Sequence, residues 1–284
     1  MKKTIAKLLA LGLAFTAVGG LTVTASAEED KVITVAASPT PHAEILAEQG
    51  WDLQITEFTD YVQPNLVVDE GEIDCNYFQH ITYLEEFNEE QGTDLVSVGE
   101  IHYEPMGVYA GTKSSLDDLE DGDVIAVPND TTNEARALLL LEENGVLTLA
   151  EDAGLAATVN DIESFKDDLD IEIIEVEAAQ VAQYTDEVAF AVINGNYALS
   201  AGLSLSDTVA TENSDSEAVS AYVNVIAVKA GNEDNEGVLA LVEVLKSDEI
   251  KAFIEETYEG SVVPYEEPEE AETEVETEAD TEAE

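Results

Sequence analysis

The sequence predicts an α/β protein of two lobes joined by two crossovers, with a ligand cleft where the carboxyl ends of their strands face each other. Three features point there: a strand and helix repeat from Val32 to Glu90, a second run of the same repeat after Gly111, and a late strand with helices that suits a return to the first lobe. A chain of 284 residues with 45% hydrophobic content is ample for sizeable cores.

The first lobe opens on Val32 to Ala37, a short apolar run rich in β-branched residues. Pro39 and Pro41 follow, then a helical pattern from His42 to Gln49 that Gly50 ends. Leu53 to Phe58 alternates as a strand, Tyr61 to Asp69 has helical spacing, Ile73 to Phe78 reads as a strand and Ile81 to Glu90 as a helix. Elements alternating in this way call for a mostly parallel sheet with helices on its faces.

The second lobe begins after Gly111, where a polar, acidic stretch from Ser114 to Asp123 precedes a strand at Val124 to Val127. The next helix is well signalled. Pro128-Asn129-Asp130-Thr131 supplies cap and turn residues, Ala135 to Leu141 is strongly helix-forming, and Asn144-Gly145 stops it. Ile171 to Val176 and Val188 to Ile193 are further strands, with room for only a short helix at Gln180 to Tyr184. Asp207 to Ala218 is polar and reads as a crossing segment. Tyr222 to Lys229 is then a strand, and Glu236 to Lys246 and Asp248 to Tyr258 are helices. Lobe I accordingly takes residues 28–111 with 219–265, and lobe II residues 112–218.

Both ends differ from this body. Lys2, Lys3 and Lys7 precede an apolar run from Leu8 to Val18, and Ala25-Ser26-Ala27 offers small residues for a signal peptidase, so residues 1–27 read as a cleaved export signal. That run is shorter than the roughly 20 residues a bilayer span needs, and the mature chain is expected to be extracytoplasmic and soluble. No Cys stands beside the signal to carry a lipid. The single thiol, Cys75, cannot close a disulfide within the chain and is most simply a small buried hydrophobe in a strand. From Glu266 onward acidic residues recur with no basic one, which predicts a disordered tail at 266–284. The tail holds 11 acidic residues, so removing it changes the formal charge from -54 to -43 and leaves an acidic body. Such a surface repels phosphate backbones and anionic headgroups, which argues against nucleic acid and peripheral membrane partners.

Among ten basic residues there is one arginine, Arg136, in the second turn of the best-signalled helix. A guanidinium there suits the carboxylate of a ligand, helped by backbone N–H groups at the helix start; the alternative is an intramolecular pair with one of 64 acidic residues. Asn76-Tyr77-Phe78-Gln79-His80, followed by Tyr83, ends a predicted strand. In a regular strand Asn76, Phe78 and His80 share a face that Tyr83 can join, forming an apolar slot with polar handles whose rings suit a thioether. Without a ligand, Phe78 and Tyr83 would be core and His80 a helix cap. Asn194-Gly195-Asn196-Tyr197 and Tyr222-Val223-Asn224 place carboxamides at strand ends, where donor and acceptor together fit an amino acid zwitterion. Asn196 fits an ordinary turn better.

His42, His80 and His102 lie near Asp60 and Glu104 in the sequence, which opens a second reading as a zinc- or manganese-binding protein. Their spacing is irregular, and HExxH and paired-Cys patterns are missing, so no metal ligands are assigned. A small-molecule enzyme is the least favoured reading. No GxSxG elbow, phosphate-cradling loop or Ser/His/Asp arrangement is present, and no cofactor or catalytic residue is assigned.

The segments Pro41-His42-Ala43-Glu44-Ile45-Leu46, Phe58-Thr59-Asp60-Tyr61-Val62-Gln63-Pro64-Asn65, Asn76-Tyr77-Phe78-Gln79-His80, Glu104-Pro105-Met106-Gly107, Pro128-Asn129-Asp130, Asn133-Glu134-Ala135-Arg136-Ala137-Leu138, Asn194-Gly195-Asn196-Tyr197-Ala198 and Tyr222-Val223-Asn224 resemble, in order, the NlpA-type methionine-binding lipoproteins of methionine ABC importers. The resemblance implies a bilobal, type II-like periplasmic-binding-protein fold. It would act as a monomer that closes around L-methionine, its D-isomer or a methionyl dipeptide and delivers it to an ABC permease and ATPase complex. It also implies roles. Tyr61, Phe78, His80 and Tyr83 would surround the thioether, Arg136 would clamp the carboxylate, and Asn194 and Asn224 would fix the polar end; Tyr77 points off the ligand face. Two features depart from the family pattern: Ala27 leads into Glu28 where a lipidated Cys is usual, and the tail is acidic.

Overall fold

The structure, a computed structural model, describes residues 32–48, 53–213 and 218–266; the export signal, the helix stop at Gly50, part of the crossing segment and the tail beyond Glu266 lie outside them. The chain runs β1 (Ile33–Ala37), α1 (Glu44–Glu48), β2 (Leu53–Glu57), α2 (Gln63–Asp69), β3 (Cys75–His80), α3 (Ile81–Gln91) and β4 (Leu95–Tyr103). It continues through β5 (Gly107–Ala110), β6 (Val124–Pro128), α4 (Thr131–Glu143), the hairpin β7 (Leu147–Leu149) and β8 (Ile162–Phe165), β9 (Glu172–Val176), α5 (Ala178–Val181), β10 (Phe190–Ile193), α6 (Gly195–Ser200) and β11 (Thr208–Thr211). Last come α7 (Ala218–Ala221), β12 (Val223–Lys229), α8 (Glu236–Leu245), α9 (Asp248–Tyr258) and β13 (Val263–Pro264).

Two larger sheets result, with strand orders β13-β4-β12-β3-β1-β2 and β11-β5-β10-β6-β9. The chain leaves the first sheet between Tyr103 and Gly107 and returns between Thr211 and Val223. Those passages explain why each sheet is mixed, where the sequence pattern suggested mostly parallel pairing. β12 re-enters from the second sheet and therefore starts where β4 and β3 end, so it pairs antiparallel with both. β5 enters the second sheet in the same way and runs antiparallel to β10. Elsewhere β1 is parallel to β2 and β3, and β6 to β9 and β10. The carboxyl ends of β3, β4, β6, β10 and β11 and the start of β12 thus gather at one level, and the cavity forms there.

Both sheets are covered on two faces, which is why their central strands read as continuous apolar runs. In β12, Ile226 and Val228 pack with Ile45, Leu241 and Ile254 on one side, and Val225 and Ala227 with Val68, Leu84 and Tyr265 on the other. In β10, Phe190 and Val192 join Leu138 and Leu141 of α4, while Ala191 and Ile193 join Val181 and Ala198. The helix α4 starts where the cap signal predicts, with the Asp130 side chain accepting from the Asn133 N–H at 3.1 Å. Leu138 on this helix is fully buried. Leu138→Ala should lower the unfolding free energy by about 2–5 kcal/mol, the usual range for such a cavity, read as a shift of the urea midpoint at constant slope.

Some elements escaped the pattern. Ser97, Gly99 and Glu100 interrupt the apolar run of β4, and extra residues at Val98 and Ile101 opposite β12 break its period of two. β5, β11 and the β7–β8 hairpin are three or four residues long. The helix expected from Tyr61 begins at Gln63, because Asp60 Oδ1 accepts from the N–H groups of Val62 and Gln63, each at 2.8 Å, and Pro64 occupies its first turn. Tyr61 is left in the connection, free to face the second sheet.

Candidate functional site

A cavity with about 330 Å³ of empty space lies between the two sheets and is lined by Tyr61, Phe78, His80, Tyr83, Arg136, Asn194 and Asn224. All seven candidate residues are thus brought together. Gln79, Glu104, Asn133, Gly195 and Asn196 complete the lining and had not been singled out as site residues.

One wall is aromatic. Tyr61 meets Phe78 at 5.9 Å and Tyr83 at 5.6 Å between ring centroids, and Tyr61 also stacks on Tyr197 at 4.8 Å. The Tyr61 hydroxyl donates to Asn196 Oδ1 at 2.6 Å and the Tyr197 hydroxyl to the Thr59 carbonyl at 3.2 Å, so residues beside one sheet bond to residues beside the other. Burial pushes the Tyr61 phenol well above its ordinary range. The turn expectation for Asn196 is corrected: it is buried and holds Tyr61.

β3 carries an extra residue at Phe78 opposite β12, since Gln79 pairs with Val225 and Tyr77 with Ile226. That bulge overrides simple alternation. Phe78 and His80 still face the cavity, but Asn76 turns away into a buried amide cluster with Asn65 and Gln79. His80 combines both readings open to it. Its Nδ1 accepts from the Tyr83 N–H at 3.0 Å, capping α3, and its Nε2 lies 3.1 Å from Asn133 Oδ1 across the cleft. The same oxygen accepts from Asn194 Nδ2 at 2.7 Å, and Asn194 Oδ1 is buried without a hydrogen-bond partner among the described residues.

Arg136 also does two things at once. Its Nε and Nη2 bond both carboxylate oxygens of Glu212 at 2.7 Å, and Nη2 reaches the Glu104 carbonyl at 2.8 Å. Glu212 accepts in addition from the Tyr103 hydroxyl and, at 2.7 Å, the Met106 N–H. The Tyr222 ring covers the guanidinium with its centroid 4.2 Å away. Burial opposes the charge, but Glu212 more than restores it and holds the guanidinium above its ordinary range. The two-pronged edge expected to grip a ligand is therefore given to Glu212, and Nη1 is the nitrogen that remains.

Beneath the cavity, His42, His102 and Glu104 converge, whereas His80 lies in a different contact set and Asp60 caps α2. Glu104 Oε1 is 2.8 Å from His102 Nε2 and 3.4 Å from His42 Nε2. Asn224 Oδ1 stands 3.0 Å from His42 Nε2, Ser38 Oγ 2.6 Å from His42 Nδ1, and the Tyr77 hydroxyl bonds His102 Nδ1. One proton arrangement satisfies every member: both Nε2 atoms carry hydrogen and donate to the oxygens, and both Nδ1 atoms accept from hydroxyls. A metal would have to replace these bonds, so the donor set is complete as a hydrogen-bonded network. Burial lowers His42 to about 4 and His102 to about 3. His80 falls to about 3 through burial, with Arg136 adding to it. Burial raises Glu104, partly offset by His42 and Arg136. Gly195 packs on this carboxylate, where a Cβ would lie 2.8 Å from Glu104 Oε2.

Two mixed sheets, two chain passages between them and a small buried cavity at the facing strand ends define a bilobal periplasmic-binding-protein fold, a class that captures ligands without transforming them. The model of the NlpA lipoprotein family matches residues 24–266, and the chain belongs to that family. It is 38% identical to the methionine-binding lipoprotein MetQ of Bacillus subtilis over 84% of this chain and 89% of that one. A lipoprotein from Ruminococcus gnavus superposes with a TM-score of 0.81 at 61% identity, covering 83% of this chain and all (100%) of that one. A nutrient-binding protein from Burkholderia cenocepacia, solved bound to methionine, gives 0.76 at 40% identity, covering 82% and 99%. Among the described residues no helix is long and apolar enough to cross a membrane.

Proposed function

We propose that this protein is the extracytoplasmic solute-binding component of an ABC importer and that its cavity takes L-methionine for delivery to the permease. The observation that carries this is the division of the cavity into a ring-lined end and a polar end. Tyr61, Phe78, His80 and Tyr83 offer edges and faces to a thioether, which gains a modest contact from each. Arg136 Nη1 and the amide nitrogen of Asn224, whose oxygen already accepts from His42, suit a carboxylate; the free Asn194 Oδ1 suits a donor. The methionine-bound Burkholderia relative and the methionine-binding MetQ of Bacillus subtilis support methionine as the ligand.

In this reading the segments up to Tyr103 and from Val223 form one lobe, residues 107–211 the other, and the lobes close by the Tyr61–Asn196 and His80–Asn133 contacts. The chain is further proposed to be exported and to work as a monomer. Calorimetric titration of the mature protein with both methionine isomers is the test. Saturable heat with the L-isomer is expected, together with a stabilisation of about 2.7 kcal/mol at a hundredfold excess over Kd. Silence with both isomers would reject the ligand.

A further inference from the structure

The segment Pro41-His42-Ala43 lies outside the cavity lining, yet its imidazole bonds a residue that belongs to it, Asn224. His42 is fully buried, with the Tyr77 ring edge-on at 4.6 Å and the His102 ring at 4.9 Å between centroids, so its plane is fixed. Its Nδ1 lies 2.6 Å from Ser38 Oγ, and its Nε2 faces two oxygens, Asn224 Oδ1 at 3.0 Å and Glu104 Oε1 at 3.4 Å. A bare Nε2 would set its lone pair against the Glu104 oxygen, so the proton sits on Nε2 and the Ser38 hydroxyl donates to Nδ1. Burial lowers the ring to about 4, which keeps it a neutral donor at physiological pH. Asn224 can meet that N–H only with its oxygen; the flipped amide would oppose N–H to N–H. His42 follows β1 and Asn224 lies in β12, two strands of the same sheet, so parting the sheets leaves this bond intact.

We propose that His42 is a positioning residue: by donating to Asn224 Oδ1 it holds the Asn224 amide with Nδ2 towards the cavity, so that this wall offers a donor to a ligand carboxylate. The inference rests on the reading that the cavity takes methionine with its carboxylate beside Arg136 and Asn224. A carboxamide left to itself can turn either end to a ligand, and its oxygen would repel a carboxylate. With the oxygen pinned by His42, the donor is in place before the ligand arrives, and less freedom is lost on binding. Ser38 acts one step further out, because its hydroxyl fixes which ring nitrogen carries the proton. The chain Ser38, His42, Asn224 thus sets the polarity of one wall of the cavity, although neither Ser38 nor His42 lines it.

The test is calorimetric titration of the full mature chain with L-methionine in a double-mutant cycle of His42→Leu and Asn224→Ala, with His42→Gln beside it. His42→Leu should bind about tenfold more weakly or worse, the scale of a lost hydrogen bond to a charged group. In the Asn224→Ala background the same change should add no more than about twofold, because the residue it positions is gone. His42→Gln puts an amide N–H where Nε2–H stood and an oxygen before the Ser38 hydroxyl, and should stay within about twofold of wild type. Equal losses in both backgrounds would mean that His42 acts by packing or through Glu104 and would overturn the proposal. Normal affinity in Asn224→Ala, or a His42→Gln as weak as His42→Leu, would overturn it too. Should the variants not fold, nitrogen NMR of histidine-labelled wild type decides, since the chain has three imidazoles to resolve. A proton on His42 Nε2 is expected, and one on Nδ1 removes the basis for the proposal. Wild type that gives no heat with either methionine isomer is a separate result, removing the reading of the ligand and this inference with it.

Discussion

Arg136→Ala will cost the fold about 3–5 kcal/mol and remove measurable methionine binding, the largest loss expected from any single substitution near the cavity. Deleting the guanidinium leaves Glu212 buried with the Tyr103 hydroxyl and Met106 N–H as donors but no cation. It also opens a gap under the Tyr222 ring and takes away the charged donor suited to a ligand carboxylate. Urea unfolding and calorimetry read the two losses separately. A paired replacement disentangles them: Arg136→Met with Glu212→Leu removes both charges, and such apolar swaps for buried pairs are often neutral or stabilising. That double variant should unfold near the wild-type midpoint and still fail to bind. If Arg136→Ala binds with near-normal affinity, the assignment of Nη1 to the ligand is wrong.

Acid should destabilise the protein well above the ordinary carboxylate range. The unfolded value of each imidazole is 6.5, while burial lowers His42 to about 4 and His80 and His102 to about 3 in the fold. Above 6.5 both states are neutral and the stability is fully present. As pH falls towards those lowered values the unfolded chain binds protons that the folded one refuses, so stability drops. Each ring contributes at most about 1.4 kcal/mol per pH unit, and three together give a steep slope. Glu104, Asp130 and Glu134 act the other way, since burial raises each carboxyl above its ordinary value and that part of the stability is gained on acidification. Urea midpoints compared at about pH 7.5 and about pH 5, in salt high enough to screen surface repulsion, should fall clearly. Equal midpoints would mean that these rings are not buried neutral.

Much of the fold was visible in the sequence because its central strands are buried on both faces and its longer helices carry end signals. Val223–Lys229 and Asp130 with Thr131–Glu143 are of this kind. β4 was hidden by Glu100, Gly99 and two bulges, features that depend on which strand lies beside it. Within the site, Arg136 stood out by rarity and the residues around Phe78 by aromatic density. Glu212 and Glu104 had no such contrast. Each is one of 64 acidic residues, and only the chain passages between sheets bury them beside the cavity. Asn133 and Asn196 looked like cap and turn residues because their partners, His80 and Tyr61, come from far along the chain. The alternation rule failed at Asn76 for one local reason, the extra residue at Phe78.

The stacked phenols at the mouth of the cavity give the molecule an optical reporter of its own. Tyr61 touches Tyr83 and Phe78 beside one sheet and Tyr197 beside the other, so parting the sheets must carry Tyr61 away from Tyr197 and wet both rings. Their near-ultraviolet absorbance and circular dichroism respond to that wetting, and the chain holds a single Trp to compete with the signal. Occupancy and closure could then be followed in unlabelled protein.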